Sequence, residues 1–281
     1  MMKVQEIWLY PVKSMMGQTV QNCILTETGI SGDRIWAARD QERGGIRGAK
    51  KIGGLMGLAA RHLDQATGLV EITLPDGSIV RTDEQSVHQV VSTAIEHPVV
   101  LEKLRAAQDL EHFRRGAPDS TDVMQELRAV FGRTEDEPLP DFSIFPPSIM
   151  EFESPPGSYY DVWPLMVMTT SALRSLAMSV PSSNMDVRRF RPSLVIDSGE
   201  LDGHPEFSWK GRRAQIGTAQ IEFLSACPRC VMVTRAVTPQ IPVDREVLRH
   251  IVRDLDQNVG IYARITTPGS FNVGDEMSFI P

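Results

Sequence analysis

Short runs of β-branched and aromatic residues, separated by turns rich in glycine and proline, recur along most of this chain. Val4 to Tyr10 is the first such run and ends at Pro11, and later examples are Glu206 to Trp209, Gln220 to Leu224 and Val231 to Thr234. Residues of these types fit a pleated surface, and short strands divided by tight turns favour a barrel or a sandwich over βαβ units. The sequence therefore predicts a mostly β fold with some α-helix.

A few segments have helical rather than strand periodicity. Apolar residues recur at helical spacing in Ser86 to Ile95, Asp122 to Phe131 and Val243 to Leu255. Gly132 follows the second of these as a stop signal, and Thr169 or Thr170 is expected to cap a further helix. The Asp-Gly pair at positions 76 and 77 suits the positive φ of a tight turn and predicts a β-hairpin.

The charge balance and the cysteine count limit the class of protein. Lysine and arginine total 29 against 36 aspartate and glutamate residues, a formal net charge of −7. This balance argues against a general nucleic-acid binder, which needs a basic face, but not against a local basic pocket. No run approaches the roughly 20 apolar residues that span a bilayer, and the first residues lack the apolar core of a signal peptide. With three cysteines, we expect a cytoplasmic protein in a reducing compartment, with no membrane partner.

Two of the three cysteines lie in the Cys-Pro-Arg-Cys motif at 227–230, directly after a predicted strand. The permanent charge of Arg229 beside both sulfurs is expected to favour the thiolate form, which binds metal or attacks as a nucleophile. Cysteine is also among the most buried residue types, so a packed pair without function stays an alternative. A zinc site lacks support, since there is no second cysteine pair and no short histidine spacing.

A basic cluster of Arg188, Arg189 and Arg191 precedes another predicted strand. In an acidic chain it is either a solvated strand entry or an anion site, and the sequence leaves both open.

Two stretches have the composition of loops. The glycines between positions 44 and 57 lack the spacing and the terminal Gly-Lys-Ser/Thr of a phosphate loop, so they predict a flexible loop. Residues 134–157 are rich in proline and acidic residues with little periodicity, which predicts an exposed connection or lid.

Several motifs in one order make the chain similar to the MOSC-domain family, the relatives of the C-terminal domain of molybdenum cofactor sulfurase that include the mitochondrial amidoxime-reducing component. The matching segments are Tyr10-Pro11-Val12-Lys13-Ser14, Gly32-Asp33-Arg34-Ile35-Trp36, Arg189-Phe190-Arg191-Pro192-Ser193-Leu194-Val195, Cys227-Pro228-Arg229-Cys230, Gly260-Ile261-Tyr262 and Val273-Gly274-Asp275. The resemblance implies an N-terminal β-barrel region, placed at residues 1–118, and a MOSC β-barrel with peripheral helices at residues 119–281.

The same resemblance implies the site. Cys230 matches the thiolate that binds molybdenum, a soft ligand suited to a metal held by a pterin dithiolene. The positions that match cofactor contacts are Lys13, Ser14, Arg34, Arg191, Ser193, Arg229 and Tyr262. Cations with fixed donors suit a pterin that carries a phosphate. Asp161 and Asp197 flank matched segments and are expected to be structural.

The function implied by the resemblance is reduction of N-hydroxylated compounds, such as amidoximes or hydroxylamines, by a molybdenum-cofactor enzyme. Electrons would come from a separate reductase or a ferredoxin-type donor, because three cysteines cannot hold an iron–sulfur cluster of four thiolates. A carrier of molybdenum cofactor, or of sulfur as a persulfide on Cys230, is the alternative, and a barrel that has lost its cofactor is a third possibility. The family is also associated with pyridoxal phosphate binding.

The chain departs from the amidoxime-reducing relatives at three places. Val162-Trp163 stands where they carry a Thr-Ser pair, Ser193 replaces an asparagine, and Pro228 replaces a serine. The first change removes two hydroxyl donors and the last removes a backbone N–H. These departures put the pose of a bound cofactor in question.

Overall fold

Sixteen strands and five α-helices make up the fold of the computed structural model, which describes residues 1–281. The strands are β1 (Met2–Leu9), β2 (Gln18–Val20), β3 (Asn22–Thr26), β4 (Gly29–Ile30), β5 (Trp36–Asp40), β6 (Ala59–Asp64), β7 (Leu69–Thr73), β8 (Ile79–Arg81), β9 (Val99–Lys103), β10 (Leu165–Thr169), β11 (Leu194–Asp197), β12 (Arg213–Ile216), β13 (Ala219–Pro228), β14 (Asn258–Thr267), β15 (Gly269–Asn272) and β16 (Glu276–Ile280). The helices are α1 (Val87–Ala94), α2 (Leu110–Phe113), α3 (Val123–Phe131), α4 (Thr170–Ser179) and α5 (Glu246–Asp254). None of the helices is both long and apolar enough to cross a membrane.

Seven strands form a closed barrel in the order β11-β10-β14-β13-β12-β16-β1. The first strand closes it, because β1 pairs with β16 at Met2↔Met277 and with β11 from Lys3↔Asp197 to Ile7↔Leu194. The interior is filled by apolar side chains, as in other small barrels. Those with no exposed surface include Ile7, Leu165, Val167, Leu194, Ile196, Ala214, Ala219, Phe223, Ile261 and Ala263. This architecture confirms the predicted fold class, mostly β with peripheral helices.

The N-terminal part of the chain adds three small sheets, β5-β9, β6-β7-β8 and β15-β3-β4. The last of these pairs β3 with β15 from the C-terminal end, at Phe271↔Cys23. The division at residue 118 stays a prediction, and hydrogen bonds cross it at β1 and at β15.

A second hydrophobic core joins the N-terminal sheets to the segment after the cysteine motif. Met232, Val237 and Ile241 belong to the same buried cluster as Val12 and Met15, and Cys230 packs against it. The cysteine motif therefore lies where the barrel meets the N-terminal sheets.

The predicted helices and the hairpin are present. Asp122 caps α3 by accepting hydrogen bonds from the backbone of Met124 and Gln125, and Gly132 ends that helix in the left-handed conformation. Thr169 caps α4 through the Ala172 backbone. The hairpin pairs β7 with β8.

Two predicted strands are wrong. Val231–Thr234 and Pro205–Trp209 are turns of 3₁₀ helix. Val233 is buried by tertiary packing rather than by a sheet, and its β-branched side chain fits a packed turn as well as a strand. Pro205 suits the first turn of a helix because its missing N–H needs no partner there.

The arginine cluster divides into separate roles. Arg188 pairs with Asp186, and Arg189 is completely buried with no carboxylate partner. The guanidinium of Arg189 donates instead to four backbone oxygens, those of Asn184, Val233, Arg235 and Pro242. Burial lowers the pKa of Arg189. This side chain fastens the turn that follows Cys230 to the rest of the domain.

Arg189→Met is expected to lower the free energy of unfolding by about 2–4 kcal/mol, because buried carbonyl oxygens lose their donor. Arg188→Met is the matched control and should cost less than about 1 kcal/mol, since its ion pair is partly exposed. Urea unfolding followed by tryptophan fluorescence measures both. Equal losses in the two variants would contradict the role given to Arg189.

Candidate functional site

Lys13 lies in the turn after β1, and its ammonium group is held inside the protein. The turn is fixed by the backbone N–H of Lys13, which donates to the oxygen of Trp36 at 2.8 Å. The side chain is only 4% exposed. Its Nζ donates to the backbone oxygen of Tyr159 at 2.8 Å and to Asp161 Oδ1 at 2.6 Å. Burial lowers the pKa of Lys13, and the Asp161 carboxylate opposes that shift.

Three of the predicted site residues have left-handed backbone conformations. The φ angles are 70° at Ser14, 50° at Arg34 and 58° at Arg191. For a residue other than glycine this conformation costs on the order of 1–3 kcal/mol, and such strain concentrates at functional sites. The Ser14 hydroxyl accepts a hydrogen bond from the backbone of Ala49 at 2.9 Å, so it is tied to the glycine-rich loop.

The ring of Tyr10 brings two of the predicted arginines together. The guanidinium of Arg191 lies 4.2 Å from the ring centroid and that of Arg34 lies 4.9 Å from it. Arg34 also pairs with the buried Asp33 and lies 5.0 Å from the ring centroid of Tyr160. Cation–π contacts and one carboxylate thus compensate part of the cost of burying these charges.

Arg191 keeps an unused donor. Its Nη1 donates to the Met15 backbone oxygen, whereas Nη2 is buried without any acceptor. Burial lowers the pKa of Arg191 to about 10, although Tyr10 opposes the shift. Buried donors are rarely left unpaired, so this nitrogen is a candidate for ligand binding.

Asp161 lies at the centre of the cationic groups. Its Oδ1 pairs with Lys13 and its Oδ2 lies 2.9 Å from the Nζ of Lys50. Lys13 and Lys50 hold the pKa of Asp161 well below its usual range, against the partial desolvation of this 40% exposed carboxylate. Both Arg34 and Arg191 are within electrostatic range of the same carboxylate. Asp161, which was expected to be structural, is the shared counter-ion of Lys13 and Lys50.

Cys230 is coupled electrostatically to three cations. The thiol is half-buried, at the start of the turn Val231–Thr234. Its sulfur is within electrostatic range of Lys50, Arg133 and Arg229. Burial would lower the pKa of Lys50, but Asp161 first and Cys230 second keep that pKa raised.

Arg229 makes a direct hydrogen bond to the other cysteine of the motif, Cys227. Its Nη1 donates to the Sγ of Cys227 at 3.1 Å and its Nη2 donates to the Phe190 oxygen at 2.7 Å. Burial raises the pKa of the Cys227 thiol, and Arg229 with the neighbouring Tyr262 hydroxyl only partly opposes this. The expectation that Arg229 favours a thiolate at both sulfurs is therefore wrong for Cys227, where burial has the larger effect.

A clamp that the sequence did not reveal holds the peptide groups of Arg229. Its N–H donates to the backbone oxygen of Gln257 at 2.8 Å, and its carbonyl accepts from Arg133 Nη2 at 3.1 Å. Arg133 also donates to the Gln257 side chain at 2.9 and 3.1 Å, and Gln257 has a φ of 70°. Arg133 and Gln257 thus fix the backbone next to Cys230.

Three other predicted or substituted positions carry no charge. The Ser193 hydroxyl accepts a hydrogen bond from the Met166 backbone at 3.4 Å, which ties β10 to the segment before β11. Trp163 is half-buried and its Nε1 is buried without an acceptor. Tyr262 lies on β14 opposite Met166.

Lys50, Arg133 and Gln257 were missed by the sequence analysis. The basic pair Lys50-Lys51 within the glycine-rich segment was the only local signal. The prediction of a flexible loop there gave this pair no role. Arg133 lies between α3 and the proline-rich and acidic segment 134–157, where no periodicity links it to the cysteine motif.

Two family models match the chain over most of its length. Residues 1–108 match the MOSC N-terminal beta barrel domain, and residues 158–278 match the MOSC domain. Among curated proteins, the mitochondrial amidoxime reducing component 2 of Bos taurus is 24% identical over 295 residues, which cover 97% of this chain and 81% of that protein. The protein of the same name from Homo sapiens is 24% identical over 300 residues, covering 97% and 82%.

Solved structures with some similarity include the YuaD protein from Bacillus subtilis. It aligns with a TM-score of 0.47 at 10% identity, over 99% of this chain and 96% of that chain. YiiM from Escherichia coli aligns with a TM-score of 0.30 at 15% identity, over 46% of this chain and 59% of that chain.

In the metal-free native protein, iodoacetamide is expected to alkylate Cys230 at least about tenfold faster than Cys227, because Cys227 is buried and bonded to Arg229. Peptide mass spectrometry over a time course measures both rates, and the buried Cys23 is an internal control for a protected thiol. After denaturation the three rates should converge. Similar rates for Cys227 and Cys230 in the native protein would contradict this arrangement.

Proposed function

This chain belongs to the MOSC-domain family, and from that premise we propose that it is an oxidoreductase that binds the molybdenum cofactor and reduces N-hydroxylated compounds such as amidoximes and hydroxylamines. The observation that carries the proposal is the half-buried Cys230 thiol among Lys50, Arg133 and Arg229. The names of the mammalian relatives, which are amidoxime reducing components, support the substrate class.

Several groups of the candidate site fit such a cofactor. Arg191 Nη2 and Trp163 Nε1 are buried donors without acceptors, which oxygens of a phosphate or a pterin would provide. The Trp163 indole offers one N–H where the relatives carry hydroxyl groups, whereas Val162 offers none. Lys13 and Lys50 add positive charge, and the Cys230 sulfur is the soft ligand that molybdenum prefers.

The proposed reaction converts N–OH to N–H and water, and it consumes two electrons and two protons. When bound, the cofactor supplies a metal that can take up the substrate oxygen and exchange electrons with a donor. The protein holds the ligating sulfur in place through the clamp that Arg133 and Gln257 form on Arg229.

We propose that the electrons come from a separate reductase or a ferredoxin-type protein. The word component in the relatives' names fits a system of more than one protein. The cytoplasmic location stays a prediction, as the relatives are named for the mitochondrion. Pyridoxal phosphate binding also stays a prediction, resting on the resemblance alone.

Protein produced in a host that makes molybdopterin is expected to contain molybdenum and to reduce benzamidoxime with an artificial electron donor. Cys230→Ser should lower the metal content at least about tenfold, because an alcohol is a much poorer ligand than a thiolate. Cys23→Ser is the matched control, since Cys23 lies on β3 in a different sheet, and it should keep its metal. Elemental analysis and amidine formation are the measurements.

Unchanged molybdenum in Cys230→Ser would contradict the proposed ligand. An extra sulfur on Cys230 by native mass spectrometry, without bound pterin, would favour the sulfur carrier, because the same cations would stabilise a persulfide.

A further inference from the structure

One carboxylate pairs with two ammonium groups in the candidate site, the buried Lys13 and the partly buried Lys50. Asp161 lies 2.6 Å from Lys13 Nζ and 2.9 Å from Lys50 Nζ, and these lysine side chains are 4% and 25% exposed. Of the neighbouring arginines, Arg34 is neutralised by Asp33, and Arg191 has no carboxylate partner. Two positive charges therefore remain uncompensated, and the site suits a ligand with more negative charge than Asp161 carries.

Asp161 is itself the accessible member of this group. Its side chain is 40% exposed, whereas the preceding Tyr159 and Tyr160 are buried. The backbone oxygen of Tyr159 accepts a hydrogen bond from Lys13, and the Tyr159 hydroxyl lies 2.7 Å from Nε2 of His112. The backbone is thus anchored before Asp161, and a rotation of the carboxylate about its side-chain bonds would release both lysines without moving that anchor.

We propose that Asp161 is a built-in counter-anion that occupies Lys13 and Lys50 in the free protein and is displaced when a dianionic phosphate monoester binds to them. This proposal rests on the proposed function, because the phosphate monoester would be the phosphate group of the pterin cofactor. It also predicts which anions can bind there, since any anion must compete with the Asp161 carboxylate for Lys13 and Lys50.

The charge of the occupant decides the exchange. A monoanion that replaces Asp161 substitutes one negative charge for another and must also compete with a carboxylate already in place. A dianion gains a second charge against the same two ammonium groups and against the free Nη2 of Arg191. Asp161 therefore favours phosphate monoesters over carboxylates and other monoanions at this site.

The test uses inorganic phosphate at pH 8, where it is mainly a dianion, titrated into cofactor-free protein and followed by calorimetry. Asp161→Asn is expected to bind phosphate about tenfold more tightly than the wild type, because the internal competitor is neutral. Asp119→Asn is the matched control. Asp119 is also a partly exposed carboxylate, 44%, that bridges two cations, Arg47 at 2.7 Å and Lys51 at 2.9 Å. It should leave phosphate affinity unchanged.

Two further measurements locate the effect. Adding Lys13→Met to Asp161→Asn should remove the gain, which assigns it to the lysine pair. Acetate should bind the wild-type protein at least about tenfold more weakly than phosphate. Urea unfolding of each variant shows that it is folded.

Phosphate affinity that is unchanged or weaker in Asp161→Asn would overturn the proposal, since Asp161 would then be neutral to the ligand or part of its cage. A gain of the same size in Asp119→Asn would also overturn it, as a general charge effect. The outcome is independent of molybdenum content, so the failure of this inference and the failure of the proposed function can be told apart.

Discussion

Closure of the barrel by β1 brings Tyr10, Lys13 and Arg191 of the candidate site together. The hydrogen bonds of β1 with β11 carry the chain to Tyr10 beside the segment that precedes β11, where the Tyr10 hydroxyl donates to the Pro192 oxygen at 3.0 Å. Lys13 and Arg191 come from positions far apart in sequence, and this pairing brings both next to the same turn. A barrel without β1 would lack the aromatic ring on which the arginines rest.

The protein stabilises its buried cations by three different means. Arg189 uses only backbone oxygens and serves the architecture, whereas Arg34 uses a carboxylate and aromatic rings. Lys13 and Lys50 share Asp161, and Arg191 keeps a nitrogen without a partner. Because an unpaired buried charge is costly, the incompletely compensated groups are those expected to bind a ligand.

Local patterns predicted the elements that depend on local interactions. The cap at Asp122 and the glycine stop at Gly132 define α3 because both are satisfied within a few residues. The turns Pro205–Trp209 and Val231–Thr234 were misassigned as strands, since their apolar residues are buried by distant partners. The family motifs identified Lys13, Arg34, Arg191 and Cys230 as candidate site residues from the sequence. Lys50 and Arg133 lie in loops, where no spacing connects them to those motifs.

The sequence by itself determined the mostly β architecture and the order of the family motifs. These features depend on strand composition, turn residues and motifs, each of which involves only residues close together in the chain. The tertiary structure alone decided which charges meet. It placed Asp161 between two lysines, directed Arg229 to Cys227, and set Arg133 behind the backbone of the cysteine motif. The physical reason is that an ion pair or a buried hydrogen bond depends on distance in space, which barrel closure sets and sequence separation does not.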